Sequence, residues 1–368
     1  MFILEQFAQK RILIIFTGGT IAGNVAKSSV SETVKSSPDD FMSELGRSIG
    51  IIRKNWNIVI APEIVELYNT DSSNVMPENW AMIIDKIVET YDAFDAFLIL
   101  HGTNTMGYST AALSFALQNI NKPVIFTGAQ VPLGFLGTDA TTNLVNALRL
   151  CVWGYHPIKG VMAVFGSKII TGTRVKKGTD FDYDPFNAFQ TGSLGQIGRY
   201  IRLDEAALQK HIAYLSKFFP LAIQSRVLNV KSKFDTSKII SLTEFPGMDT
   251  NIFKLLVEGN GAKAFIFRAF GAGDPNIIHY PSFEYLKEKQ IPIVVTTQAA
   301  NGVASFQVNE SGRYLKDNDL AIPAYDMSME CMVTKLGWLL AQNLTYEQIK
   351  SMFLTDLHGE VRVENELI

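Results

Sequence analysis

Two threonines occupy positions suited to chemistry. Thr17 ends the stretch RILIIFTGGT at 11 to 20, where the apolar, largely β-branched run Arg11 to Phe16 reads as a buried parallel strand. Gly18 and Gly19 let the chain turn sharply after it, so the Thr17 hydroxyl is presented at the carboxyl end of the strand, the edge where open α/β sheets bind ligands. Thr103 repeats the context in AFLILHGTNTM at 96 to 106. A plainer role is open to the first turn, because Thr17 or Thr20 could serve only to cap the next helix. Asp71, Ser72 and Ser73 form a cluster of short polar side chains that, on composition alone, initiates the helix after Met76-Pro77-Glu78. Lys176 and Lys177 stand in ITGTRVKKGTDFDYDPFNAF at 170 to 189, whose charges by themselves describe a solvated loop. No Ser-His-Asp set is visible; His101, one residue before a turn, reads as a buried, hydrogen-bonded structural group.

The elements that must hold these residues follow from periodicity. Strands at 57–62, 96–100, 123–127 and 160–165 alternate with helices at about 107–118 and 140–151, and the stripe Ile83, Ile84, Ile87 and Val88 has helical spacing. This alternation predicts a doubly wound, mostly parallel sheet with crossover helices on both faces. From Asp204 to Lys238 the periodicity weakens, and a second α/β unit follows with strands at 239–242, 264–270 and 291–297. Thr345 to Gln348 is a capping box opening the last helix. The expected fold is therefore two α/β domains: 1–203 with the chemistry, a linker at 204–236, and a smaller domain at 237–368. A chain of 368 residues with 47% hydrophobic composition is long enough for two cores.

Composition narrows the function classes. The net charge of −3 gives no electrostatic pull toward nucleic acid or anionic lipid, so a small-molecule partner is expected, with no nucleic acid and no membrane. Glu5 and Lys10 interrupt what would have to be an apolar leader, and the following strand is far shorter than a bilayer span of about 20 residues. Cys151 and Cys331 have no CxxC or Cys/His spacing, which argues against a disulfide framework or zinc site. The cytoplasm is the expected location, and no metal or cofactor is called for.

The blocks TGGTIAG at 17–23, DSSNVMPENW at 71–80 and HGTNTMGYSTAALSF at 101–115 resemble the signatures of the bacterial asparaginase family. TGAQVP at 127–132, NLVNAL at 143–148 and TKLGWLLAQ at 334–342 make the cytoplasmic type I branch the closer match. The resemblance implies hydrolysis of L-asparagine to L-aspartate and ammonia, with Thr17 as nucleophile and Thr103 and a lysine as its activators. It implies that Asp71, Ser72 and Ser73 bind the substrate's α-carboxylate and α-amino ends, with Gly102 beside them. The family's Arg-x-x-Lys register falls on Arg174 to Lys177 and selects Lys177, although the long spacing to Phe186-Asn187-Ala188-Phe189 keeps Lys176 open. A lid is implied at 24–38, and the loop Phe267 to Gly273, whose spacing is not GxGxxG, would complete a neighbouring subunit's site. A homodimer or homotetramer follows from that.

The chemistry suits the residue types. A carboxamide resists hydrolysis, so a covalent route divides the barrier: a hydroxyl attacks the carbonyl, ammonia leaves, and water cleaves the acyl-enzyme. A threonine needs a base, and a Thr-Lys pair with the lysine pKa lowered by burial can supply one. Backbone N–H groups in the turns near Thr17 and Thr103 would stabilise the oxyanion. Two departures from the family pattern stand out. Val30 occupies the place of the lid tyrosine, with no tyrosine between Thr17 and Tyr68, and Asn104 replaces the aspartate of His-Gly-Thr-Asp-Thr-Met. That aspartate holds the substrate's α-ammonium, so a charge-assisted contact of about 1.5 to 3 kcal/mol becomes a neutral one of about 1. Three activities are compatible with Asn104: a weakened asparaginase, an amidohydrolase for an amino-blocked or peptidyl asparagine-like carboxamide, and a catalytically impaired binding or structural relative.

Overall fold

A computed structural model describes residues 8–362 apart from 20, 22–23, 27–32, 36–37, 155–157 and 217–228. The chain divides into two compact units, Met1–Ser232 and Lys233–Ile368. In the first, chain order runs β1 (Ala8–Gly18), β2 (Asn24–Ala26), β3 (Thr33–Lys35), α1 (Pro38–Trp56), β4 (Ile58–Thr70), α2 (Pro77–Thr90) and β5 (Ala96–Leu100). It continues through α3 (Met106–Ala116), β6 (Leu117–Gln118), β7 (Pro123–Thr127), α4 (Ala140–Cys151), β8 (Gly160–Phe165) and β9 (Lys168–Thr171). The remaining elements are β10 (Val175–Lys177), β11 (Phe186–Ala188), β12 (Gly195–Ile197), β13 (Ile201–Leu203), α5 (Glu205–Ser216) and β14 (Asn229–Val230).

Eight strands form one sheet in the order β13-β12-β9-β8-β7-β5-β1-β4. The five from β8 to β4 are mutually parallel, and β9, β12 and β13 add an antiparallel edge. Parallel strands covered on both faces read as continuous apolar runs, which is why β1, β5, β7 and β8 were legible. Ile12, Ile14, Leu98 and Val164 lie in one core with Phe41, Leu45 and Ile52 of α1 and Leu144, Ala147 and Leu148 of α4. The intervening side chains Leu13, Ile15, Phe97 and Ile99 are also fully covered and point to the opposite face. Because α1 and α4 share a face while their strand pairs step across the sheet in opposite directions, β1–α1–β4 and β7–α4–β8 have opposite hands. One of the two therefore departs from the right-handed rule.

The first connection leaves β1 toward β4 and the next crosses back to β5, so the winding reverses beside β1. A crevice opens at such a switch point, at the carboxyl ends of the strands. Those ends are Thr17 on β1 and His101 to Thr103 after β5. The strand expected at 57–62 extends to Thr70 in β4, because the polar residues of its second half lie at the sheet edge, with Glu63, Ile64 and Glu66 exposed. The polar segment after Asp204 contains α5, and β14 pairs antiparallel with β6.

The second unit has β15 (Ile239–Thr243), α6 (Ile252–Asn260), β16 (Ala264–Ala269), α7 (Tyr280–Glu288), β17 (Ile293–Thr297), α8 (Glu310–Asp317) and β18 (Ile322–Pro323). It ends with α9 (Met329–Leu340) and α10 (Tyr346–Leu354). Its four strands lie parallel in sequence order over an aromatic core of Phe253, Phe265, Phe267, Phe283 and Phe306. The capping box is present: the Thr345 hydroxyl accepts from the Gln348 backbone N–H, and the Gln348 side-chain Oε1 accepts from the Thr345 backbone N–H.

Candidate active site

Close backbone approach builds the site. A Cβ added at Gly19, whose φ is +84°, would lie 2.5 Å from the Gly102 Cα, and one at Gly102 would lie 2.6 Å from the Ser72 Oγ. Side chains of any size would push the three turns apart. Thr17 is 2% exposed, and its Oγ1 donates to the Leu100 carbonyl at 2.9 Å, tying the end of β1 to the end of β5.

The third turn is ordered by its own polar groups. Asp71 caps a short 3₁₀ turn, its carboxylate accepting from the Ser73 N–H at 2.7 Å. Ser72 is the clasp: its Oγ accepts from the Asn104 N–H at 3.1 Å, and its carbonyl accepts from the Thr105 hydroxyl at 2.7 Å. The sequence reading of this cluster as a helix initiator and its reading as ligands are compatible, since the turn precedes α2 and also faces Asn104.

Lys177 arrives on β10, which pairs with β11 so that Lys177 stands opposite Phe186. Its Nζ donates to the Thr103 Oγ1 and to the Asn104 Oδ1, both at 2.9 Å. Asn104 in turn donates from its Nδ2 to the Ser73 Oγ at 2.9 Å. Successive strand residues project to opposite faces, so Lys176 is directed away from the side on which Lys177 meets Thr103. Burial lowers the Lys177 pKa from its ordinary value, opposed by the negative charges of Asp180 and Asp71. A lysine so placed gives up its proton more readily than a solvated one, as a base requires.

The structure thus brings Thr17, Asp71, Ser72, Ser73, Gly102, Thr103, Asn104 and Lys177 to one crevice. A second set of bonds holds the β5 turn from beneath. His101 is fully buried, and its Nδ1 lies 2.7 Å from the Gly102 carbonyl; a carbonyl can only accept, so Nδ1 carries the proton. Its Nε2 then accepts from the Ser109 hydroxyl at 2.9 Å, and the Trp80 Nε1 donates to the same Ser109 Oγ at 3.0 Å. Burial takes the His101 pKa down to about 4, against a smaller upward pull from the Gly102 carbonyl. Neutral at working pH, His101 fixes the turn and is no proton carrier.

Tyr68 is the group that sequence reasoning missed. Its hydroxyl oxygen is buried without a partner in hydrogen-bonding geometry. Burial pushes its pKa up to about 12, tempered by the Thr17 hydroxyl, which is near enough to act on it. A tyrosine in a polar edge strand carries no local signal of this; only a shift in strand register brings it opposite Thr17. The backbone of the expected lid pairs 24–26 with 33–35, while Val30 lies outside the described residues. Among the described residues no group of three His, Cys, Asp or Glu side chains could hold a metal.

Fold and site together define a two-unit α/β protein with a threonine–lysine cluster at a sheet switch point. The chain belongs to the asparaginase family: residues 11–209 match the family described as "Asparaginase, N-terminal" and residues 238–353 the "Glutaminase/Asparaginase C-terminal domain". It is 30% identical over 362 residues to the L-asparaginase of Thermococcus kodakarensis, spanning 95% of this chain and 99% of that one. The solved structure of that thermostable enzyme superposes with a TM-score of 0.79 at 26% identity, covering 96% of this chain and all of the other. Identity to L-asparaginase 1 of Escherichia coli K12 is 34% over 297 residues, 79% of this chain and 82% of the relative. A glutamyl-tRNA(Gln) amidotransferase component from Pyrococcus abyssi is 29% identical over 359 residues, 95% of this chain and 76% of that one. The protein is an asparaginase-family amidohydrolase.

Proposed function

We propose that the protein hydrolyses L-asparagine to L-aspartate and ammonia through an acyl-enzyme on Thr17. The observation that carries this reading is the Lys177 Nζ, 2.9 Å from the Thr103 Oγ1 beside the Thr17 turn. Lys177 in its neutral form takes a proton through the Thr103 hydroxyl, first from Thr17 and later from the hydrolytic water. Attack of the Thr17 Oγ1 on the amide carbon breaks the C–N bond as ammonia departs with a proton returned by the lysine. Backbone N–H groups of the turns near Thr17 and Thr103 would stabilise the developing oxyanion. Asp71, Ser72 and Ser73 take the amino-acid end of the substrate.

A second reading is favoured by Asn104. Its amide is occupied by Lys177 on one side and Ser73 on the other and brings no charge to a substrate ammonium. An amino-blocked or peptidyl asparagine-like carboxamide needs none, and similarity to an amidotransferase component supports keeping the wider carboxamide class. A third reading, a catalytically impaired amino-acid-binding relative, requires that no amide be turned over. Ammonia release measured on asparagine, glutamine, D-asparagine and N-acetylasparagine separates the three. Fastest turnover of free asparagine is expected; preference for the N-acetyl compound supports the second reading, and binding without ammonia release supports the third.

The assembly is a homodimer or homotetramer in the cytoplasm, with the Phe267–Gly273 loop of one subunit bordering the site of another. Cys151 and Cys331 are both buried and neither forms a disulfide, as suits a reducing compartment. Full activity from a monomer in sedimentation at micromolar concentration would contradict the assembly. Residues 204–236 are the linker between the catalytic and smaller domains, and limited proteolysis cuts there before it cuts either sheet.

A further inference from the structure

Thr17 stands opposite an irregularity in the neighbouring strand. Phe16 of β1 pairs with Glu66 of β4, but the next paired residue, Gly18, meets Thr70. Thr17 alone therefore faces the three residues Leu67, Tyr68 and Asn69. A bulge of this kind bends a strand and re-aims its side chains, and such bulges gather beside active sites. Tyr68, at its centre, has a hydroxyl oxygen shielded from solvent and unpartnered in bonding geometry. Buried hydroxyls in native proteins nearly always have a partner, so an orphan beside a reactive group calls for an explanation.

The Thr17 hydroxyl explains it. Its proton is committed to the Leu100 carbonyl at 2.9 Å, which leaves the lone pairs of Oγ1 as the acceptor that a phenol on the bulge can reach. We propose that the Tyr68 hydroxyl is a catalytic hydrogen-bond donor to the Thr17 Oγ1, an assignment that rests on Thr17 being the nucleophile. Since burial pushes the Tyr68 pKa up to about 12, the phenol keeps its proton through neutral and mildly alkaline pH and acts as a donor, never as the base.

In acylation the Thr17 O–H bond to the Leu100 carbonyl is given up and its proton passes to the Lys177 base. The Oγ1–carbon bond forms as the carbonyl π pair moves to the oxyanion. Oγ1 carries more negative charge at that moment than before or after, and the Tyr68 hydrogen bond strengthens with it. In deacylation water adds to the ester, the carbon–Oγ1 bond breaks, and the departing oxygen recovers a proton from the lysine while Tyr68 again donates. No proton leaves the phenol at any step.

Tyr68→Phe keeps the ring and removes only the hydroxyl. Its kcat for amide hydrolysis is expected to fall at least tenfold, with KM changed by less than about threefold and the alkaline limb of the pH profile unmoved. Asn69→Ala, an exposed neighbour in the same bulge, is expected to retain kcat and so to separate loss of the hydroxyl from distortion of the strand. A Tyr68→Phe kcat within twofold of wild type, in a protein whose Thr17→Ala variant is inactive, overturns this assignment alone. An active Thr17→Ala variant overturns the nucleophile assignment on which it rests. A raised KM at unchanged kcat, or an equal loss in Asn69→Ala, places Tyr68 in binding or in the framework and overturns it as well.

Discussion

Replacing Asn104 by aspartate reverses the least familiar feature of the site, and its effect is calculable. The change is isosteric. The new carboxylate keeps the contact now made by the Asn104 Oδ1 to the Lys177 Nζ at 2.9 Å, and the Ser73 hydroxyl, which now accepts from Nδ2 at 2.9 Å, can rotate to donate instead. Toward a substrate ammonium, a neutral hydrogen bond of about 1 kcal/mol becomes a charge-assisted one of about 1.5 to 3. The gain is therefore about 0.5 to 2 kcal/mol, and its middle, about 1.3 kcal/mol, is close to tenfold in kcat/KM. A second effect opposes it: an anion beside Lys177 favours the ammonium, raises the lysine pKa and moves the rising limb of the rate profile to higher pH. Comparison at each enzyme's pH plateau separates the two. Ammonia release from free asparagine should rise about tenfold in Asn104→Asp, whereas release from N-acetylasparagine should fall, because the carboxylate then loses solvation with no cation to meet. An unchanged rate on both substrates would show that residue 104 does not touch the α-amino position and would refute the reasoning.

Three other outcomes follow from the same geometry. Lys177→Met should lower kcat nearly as far as removal of the nucleophile, and Thr103→Ala likewise, since groups acting as one unit are not additive; steady-state kinetics of the singles and the double variant checks this. His101, neutral in the fold at a pKa of about 4 against 6.5 when unfolded, makes the unfolded chain bind more protons between those values, so stability falls as pH drops from about 6.5 to about 4. That interval times 1.36 kcal/mol per pH unit is about 3 kcal/mol, measurable as a urea-midpoint slope that His101→Gln flattens. In the second unit Lys335 and Glu360 are both fully buried and paired; against burial, which would raise it, Lys335 and His358 bring the Glu360 pKa down to about 2. Lys335→Met strands that carboxylate and should cost about 3 to 5 kcal/mol by chemical denaturation, whereas a loss under 1 would show the pair to be dispensable.

The parallel strands were readable because burial on both faces leaves nothing but apolar residues in them. α4 fell at its expected bounds for a different reason, since its apolar residues recur at helical spacing among polar ones. The β4 edge strand was readable only in its first half, since its exposed residues imitate a loop. Thr17, Thr103 and the Asp71–Ser73 turn were visible as polar groups at strand ends, where local pattern and site coincide. Choosing Lys177 over Lys176 needed a family register, because adjacent lysines differ only in the face to which a strand turns them. Tyr68 was invisible: its place opposite Thr17 depends on a register shift between two strands separated by a 19-residue helix, and no local pattern encodes that.

The claim on which the rest depends is that Thr17 carries the acyl group. Thr17→Ala removes a hydroxyl whose contacts, to the Leu100 carbonyl and on the proposed assignment to Tyr68, lie at a strand end and outside the apolar core, so the variant should still fold as a cooperative unit. Its kcat for ammonia release from asparagine should fall at least a thousandfold, and acid-quenched mass spectrometry should find the acyl adduct on the Thr17 peptide of wild type and no adduct in the variant. A folded Thr17→Ala protein that keeps more than about a tenth of wild-type kcat, a barrier change of only ~1.4 kcal/mol, would contradict the account.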